Sequence, residues 1–305
     1  MDQPSAYFLV GPTASGKSRL AHFMAKAQGF GVVSADSMNL YQGMDIGTAK
    51  PSASERAEVE YAGVDIVNPT EKFSVAAYLR AVAPALKAPP KKIVAGGTGL
   101  YVKCLTEGFD DLPPENPALR AELEALDFQT LETRAQAQAA DLYSKLTEDD
   151  RQNPRRLIRI LEKSSGVAPS FPSPSWNSAP KPTLVGLHID RKELHRRIEQ
   201  RVEAMYADGL LQEAAKLIEL NLSPTALQAI GYAEAFAVLK NQMTEQEAKE
   251  RTVIRTRQLA KRQMTWFRNQ LHIDWIDATA VTSLETLAAA VSNAWEKQGP
   301  TPLQI

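Results

Sequence analysis

An eight-residue loop constrains this chain more than any other feature. Gly11-Pro12-Thr13-Ala14-Ser15-Gly16-Lys17-Ser18 follows directly on the apolar run Ala6-Tyr7-Phe8-Leu9-Val10. It satisfies G-x-x-x-x-G-K-[ST] between a strand and a helix, the context in which that pattern cradles phosphates. The glycines let backbone N–H groups face an anion, and the N-terminus of the following helix adds a positive field. Lys17 supplies a point charge, and the Ser18 hydroxyl suits Mg²⁺. The plain alternative is a Gly-rich turn with no ligand.

A strand ending in such a loop needs parallel neighbours. Apolar strands are expected at Gly31 to Ala35 and Lys92 to Ala95, with helical stretches at Ser18 to Lys26 and Val75 to Leu86 between them. This alternation predicts an α/β fold, a P-loop NTPase-like parallel sheet flanked by helices. In such sheets ligands collect beyond the carboxyl ends of the strands. Those ends read Gly11 onward, SADSMNLY (Ser34 to Tyr41) and GGTGLY (Gly96 to Tyr101), so the three segments are expected to share one crevice. Asp36 is then placed to act as a general base or to reach a metal through water. The same position suits a helix N-cap, with Ser37 beside it. Thr98 lies between two glycines, either where backbone approaches a ligand or in an ordinary turn.

Further along, Asn116 to Lys145 is expected to be helical and Pro169 to Pro182 to be a Ser/Pro linker. Pro182 to Ile189 reads as a strand, Arg191 to Leu220 and Thr244 to Phe267 as long charged helices, and His272 to Ile276 as a last strand. Gln298 to Ile305 reads as a frayed tail. The expected organisation is a P-loop core over 1–115, an additional helical insertion over 116–148, and more core over 149–204. A helical region follows over 205–268, then a last core strand, helix and tail over 269–305.

Charge narrows the range of partners. With 35 Lys and Arg against 36 Asp and Glu, the formal charge is −1, so any nucleic-acid site must be a local concentration of base. Residues 151–163 hold Arg151, Arg155, Arg156, Arg159 and Lys163 against Glu162 alone; residues 251–268 hold Arg251, Arg255, Arg257, Lys261, Arg262 and Arg268 with no acid. Basic helices suit a nucleic-acid backbone, although a solvated basic face is the usual alternative. Trp266 and Phe267 either offer an aromatic surface or join the core. With 44% apolar residues the chain can bury a full core. There is no apolar run of about 18 residues for a membrane span, and MDQPSAYFLVG lacks the features of a signal peptide. A single cysteine, Cys104, excludes an internal disulfide and a cysteine-cluster zinc site. A cytoplasmic monomer with no membrane association is expected.

GPTASGKS, ADSMNLYQGMDIGTAKP, GGTGLY, PRRLIR, QAIGY and TRQLAKRQMTWFR, in this order from about Tyr7 to Trp275, resemble the successive motifs of the bacterial tRNA dimethylallyltransferases, also called tRNA isopentenyltransferases. The resemblance implies transfer of a dimethylallyl group from dimethylallyl diphosphate to the exocyclic amine of adenosine 37, next to the anticodon, with Mg²⁺ as cofactor. It implies that the loop Gly11 to Ser18 holds the donor's diphosphate and that no phosphoryl group moves. Asp36 matches the family's base, Thr98 a residue contacting the reacting groups, and Arg201 in RKELHRRIEQR an arginine used on the diphosphate. Contacts to the tRNA anticodon stem-loop are implied for Asp36, Ser37, Met38, Asn39, Thr98, Arg120, Arg155, Arg156, Leu157, Ile158, Arg159, Gln228, Gly231 and Tyr232. The adenosine is expected to flip into a channel from one side while the donor enters from the other.

Three positions depart from the pattern. Ala233 follows QAIGY where relatives carry lysine or arginine, Gln42 stands where a base is common, and Ser18 replaces the more usual threonine while keeping the hydroxyl. Two rivals remain: an adenylate isopentenyltransferase or other P-loop kinase-like enzyme acting on a free nucleotide, which needs no long basic helices, and a non-catalytic RNA-binding protein, weakened by the presence of Lys17, Ser18 and Asp36.

Overall fold

The structure, a computed structural model, describes residues 3–108, 116–165, 181–281 and 283–305. Nearly all of the expected linker lies outside the described residues. The elements run β1 (Ser5–Val10), α1 (Lys17–Gln28), β2 (Gly31–Ser34), α2 (Ala53–Glu58), β3 (Tyr61–Ala62), α3 (Val75–Lys87), β4 (Lys92–Gly96) and α4 (Gly99–Glu107). Then come α5 (Pro117–Glu124), α6 (Phe128–Gln138), α7 (Ala140–Ser144), α8 (Glu148–Arg151) and α9 (Pro154–Ser165). The chain continues through β5 (Thr183–His188), α10 (Arg191–Ala207), α11 (Leu210–Leu217), α12 (Pro224–Leu227), α13 (Tyr232–Leu239), α14 (Glu245–Gln270), β6 (His272–Asp277), α15 (Leu284–Gln298) and β7 (Thr301–Pro302).

Contacts divide these elements into two compact units, Met1–Gly108 with Trp176–Ile305, and Phe109–Ser175. These limits differ from the sequence expectation at two places, and the packing of apolar side chains explains both. Helix α9 was expected with the sheet, but its Leu157, Ile158, Ile160 and Leu161 complete a core with Leu123, Leu131, Ala135 and Ala139 of the smaller unit. Residues 205–268 were expected as a separate helical region, but Leu210, Ala214, Phe236 and Phe267 bury against the same core as the strands.

In the larger unit the sheet order is β3-β2-β4-β1-β5-β6, with β7 paired to β1. The first six strands are parallel and only β7 is antiparallel. Burial on both faces makes the strands near-continuous apolar runs, as parallel sheets require. Phe8, Val10, Val33 and Val94 pack on one face with Tyr78 and Val82 of α3 and Val102 of α4. Leu9, Val32, Ile93 and Val185 pack on the other with Leu20 and Met24 of α1 and Val291 and Trp295 of α15. Helices α10 and α14 contribute to both cores: Ile198 and Ala260 to the second, Val202 and Phe267 to the first. Among the described residues no helix is long and apolar enough to cross a membrane.

Two further expectations are corrected. The stretch 191–220 is not one helix, because Gly209, at φ 102°, breaks it between α10 and α11. That left-handed conformation is open to glycine at little steric cost. The tail is not frayed: Thr301 and Pro302 pair with Ala6 and Ser5, and Leu303 is 2% exposed.

Candidate functional site

The loop after β1 turns into α1 at Gly16, whose φ of 86° is a left-handed value that a β-carbon would oppose. Lys17 and Ser18 therefore open the helix, where unpaired backbone N–H groups and the helix dipole favour an anion. Lys17 is 7% exposed and its Nζ donates to the Pro12 carbonyl at 3.1 Å. Burial lowers its pKa to about 8; the Asp36 carboxylate opposes that shift and the Arg201 guanidinium adds to it. The two cations and the carboxylate thus act on one another within a single site.

Two distant elements hold the loop, and a third segment borders it. From α14, Gln263 accepts from the Thr13 N–H at 2.8 Å and donates to the Gly97 carbonyl at 3.0 Å, tying the ends of β1 and β4 together. From α10, half-buried Arg201 donates to Thr13 Oγ1 at 3.1 Å. Burial lowers the Arg201 pKa and Asp36 raises it. From the end of β2, Asp36 Oδ1 accepts from the Met38 N–H at 2.9 Å, while Thr98 Oγ1 accepts from the Ser37 N–H at 2.9 Å. Beside Asp36 lies a stacked pair, Tyr78 and Tyr101, with ring centroids 4.0 Å apart. Burial pushes both phenols upward, and Asp36 adds to the effect.

A cavity of about 240 Å³ opens over the loop, lined by Thr13, Gly16, Lys17, Ser18, Asp36, Asn39, Thr48, Ala49, Arg197 and Arg201, among others. The predicted loop, base and arginine therefore meet in one place. Sequence reasoning missed Arg197, although its i,i+4 spacing from Arg201 puts both on one helix face. Arg197 is steered by Glu193 at 2.7 Å. It also missed Thr48 and Ala49, which lie in the DIGTAK segment, and Gln263, whose motif drew attention for its basic residues instead.

The residues expected to contact tRNA fall into three groups. Asp36, Ser37, Met38 and Thr98 are half-buried at the strand ends, and Asn39 is 8% exposed. In the smaller unit Arg155 and Arg156 are exposed on α9; Arg159 reaches Glu162 at 2.9 Å, and Arg120 reaches Glu124 at 3.1 Å. The third group is buried except for Gln228. Leu157 and Ile158 are buried in the small unit's core, where their side chains seat α9. Gln228 is exposed, but Gly231 and Tyr232 are buried, and the Tyr232 hydroxyl is spent on Glu213 and the Gly47 N–H.

This architecture has known counterparts. Residues 39–270 match the family described as IPP transferase, and residues 4–62 match one described as isopentenyl transferase. The tRNA dimethylallyltransferase of Thermus thermophilus is 41% identical over 277 residues, covering 86% of this chain and 89% of that protein. The tRNA dimethylallyltransferase of Xylella fastidiosa is 37% identical over 301 residues, covering 90% of this chain and 93% of that protein. The crystal structure of the full-length tRNA isopentenylpyrophosphate transferase of Bacillus halodurans superposes with a TM-score of 0.68 at 32% identity, covering 97% of this chain and 98% of that one. Family match, whole-length identity and superposition agree, and the chain belongs to the IPP transferase family.

Proposed function

We propose that this enzyme transfers a dimethylallyl group from dimethylallyl diphosphate to the exocyclic amine of adenosine 37 in tRNA. The observation that carries the reading is the single cavity in which a phosphate-cradling loop, Lys17, Arg201 and Asp36 come together. In the reaction the bond from the allylic carbon to the diphosphate oxygen breaks, a bond from that carbon to the adenine nitrogen forms, and the nitrogen loses a proton. Negative charge grows on the departing diphosphate, where the loop N–H groups, Lys17 and Arg201 act as preorganised donors. The adenine amine is a poor nucleophile because its lone pair is delocalised, so a carboxylate that takes its proton assists attack. Asp36 has that role, with the Met38 N–H fixing its other face. Thr98, bonded to the Ser37 N–H, fixes the segment that carries Asp36.

Among the described residues no group of three or more His, Cys, Asp or Glu side chains could hold a metal alone. Ser18 borders the cavity, as does Asn39, whose buried Oδ1 has no hydrogen-bond partner. So sparse a set of hard oxygens fits Mg²⁺, which keeps much of its water and takes substrate phosphates as ligands. Ser18 would hold it, and when bound it would offset charge on the leaving diphosphate. The partner RNA surface is the anticodon stem-loop, gripped in part by Arg155, Arg156 and Arg159.

Incubation with dimethylallyl diphosphate, Mg²⁺ and either unmodified tRNA or AMP, followed by nucleoside mass analysis, tests the reading. The prenyl group should enter tRNA only; entry into AMP would place the enzyme among those acting on free nucleotides. Asp36→Asn should bind the donor normally and turn over roughly 10²- to 10⁴-fold more slowly, the usual worth of a general base.

A further inference from the structure

Tyr232 has another task. Residues 45–50 form a tight turn, with the Ala49 N–H donating to the Ile46 carbonyl and the Lys50 N–H to the Asp45 carbonyl, each at 3.1 Å. Such a turn leaves its first N–H groups without partners of their own, as the start of a helix does. A carboxylate from α11 fills this place. Glu213 accepts from the Asp45 N–H at 3.0 Å, the Ile46 N–H at 3.0 and 3.1 Å, and the Gly47 N–H at 3.4 Å. The Tyr232 hydroxyl donates to the same carboxylate and accepts from the Gly47 N–H at 3.2 Å. Burial and Glu213 hold that phenol far above its ordinary pKa, so it stays a donor. Its ring lies so close to Gly47 that a β-carbon there would come within 2.3 Å of it. The far end of the turn is held by Lys50, which is bonded to Asp45 at 2.7 Å and to Asp65 at 2.5 Å.

The turn carries Thr48 and Ala49, which line the cavity with Lys17 and Arg201. We propose that Glu213, itself oriented by Tyr232, is a positioning residue that fixes this wall of the diphosphate cavity. Charge-assisted bonds from three consecutive N–H groups set the wall's place more firmly than apolar packing alone, because they fix direction as well as distance. The proposal rests on the cavity being the diphosphate site. It gives the QAIGY segment a function without contact to RNA: the segment holds the carboxylate that holds the wall.

Glu213→Gln keeps the side chain's size but gives up one of its two acceptor oxygens. The measurements are the Kd for inorganic diphosphate by calorimetry, donor KM and kcat with tRNA, tRNA Kd and the thermal midpoint, all on the full chain. The expected result is a roughly three- to tenfold rise in diphosphate Kd and donor KM, the effect of losing a hydrogen bond of ordinary worth, with kcat and tRNA Kd nearly unchanged. Tyr232→Phe should move the same two constants in the same direction by less, and the double variant should fall short of the sum because the two groups act through one contact. A lower thermal midpoint with wild-type diphosphate Kd and donor KM in Glu213→Gln would overturn the proposal, leaving Glu213 a purely structural residue. If that variant does not fold, Tyr232→Phe decides by the same constants. Lys17→Ala separates the two readings. If it abolishes diphosphate binding while the Glu213 and Tyr232 variants bind normally, only the positioning role falls. If it too binds diphosphate normally, the cavity is not the diphosphate site and both fall.

Discussion

Lys17 shows how a single residue couples burial to function. Burial brings its pKa down to about 8 from an ordinary value of 10.5. A depressed lysine subtracts from folding stability while it is charged. The penalty is full below pH 8 and is relieved as the pH rises from 8 to 10.5, where the unfolded chain binds more protons than the folded one. A bound diphosphate works the other way, because an adjacent anion restores the charged form. Donor binding near pH 9 should therefore take up protons, and near pH 6.5 the lysine should contribute none. Calorimetry with dimethylallyl diphosphate in buffers of different ionisation enthalpy reads this directly, and Lys17→Met should abolish the uptake. If wild-type binding at pH 9 takes up no protons, Lys17 does not meet the anion. The sequence identified Lys17 from the motif alone, since loop geometry and residue type are local. It gave no sign of the contact between Tyr232 and Gly47, because nothing local marks a tyrosine whose ring fits beneath a glycine 185 residues away.

Among the elements, α10 illustrates what spacing reveals and what it hides. Its Arg197 and Arg201 sit one turn apart and border the cavity together. Arg201 also bonds the loop through Thr13, whereas Arg197 is already engaged by Glu193 and the Ala278 carbonyl. Arg201→Ala should therefore cost about 3 kcal/mol in transition-state stabilisation, the usual loss of an oxyanion donor, and Arg197→Ala clearly less. Comparing kcat/KM for the two variants checks the ranking; equal losses would make Arg197 a full partner. Strand β1, its loop and α1 were legible because period, glycine positions and length all agree. The division of the stretch after Arg191 into two helices was not, because a glycine inside a helical pattern is often tolerated. Strand β3, only Tyr61 and Ala62, carries too few residues for any periodicity, and β7 is recognisable only through its partner strand.

For the whole molecule, near-neutral net charge conceals local concentrations of base. Arg155 and Arg156 stand exposed on α9. Replacing Arg155, Arg156 and Arg159 together by glutamine should flatten the slope of log affinity for an anticodon stem-loop against log salt by up to about three increments of roughly 0.7 to 0.9 each. Turnover at saturating RNA should survive, since none of the three borders the cavity. Binding over a salt series decides: an unchanged slope would move the grip elsewhere, to the basic face of α14 first. The position of β1 has a consequence in time. It lies between β4 and β5, and the clamps on its loop come from Arg201 and Gln263. During synthesis on a ribosome the loop emerges early, but β5 starts only at Thr183, and α10 and α14 come later still. A nascent chain thus exposes an unclamped loop on a half-paired strand until α14 has been made.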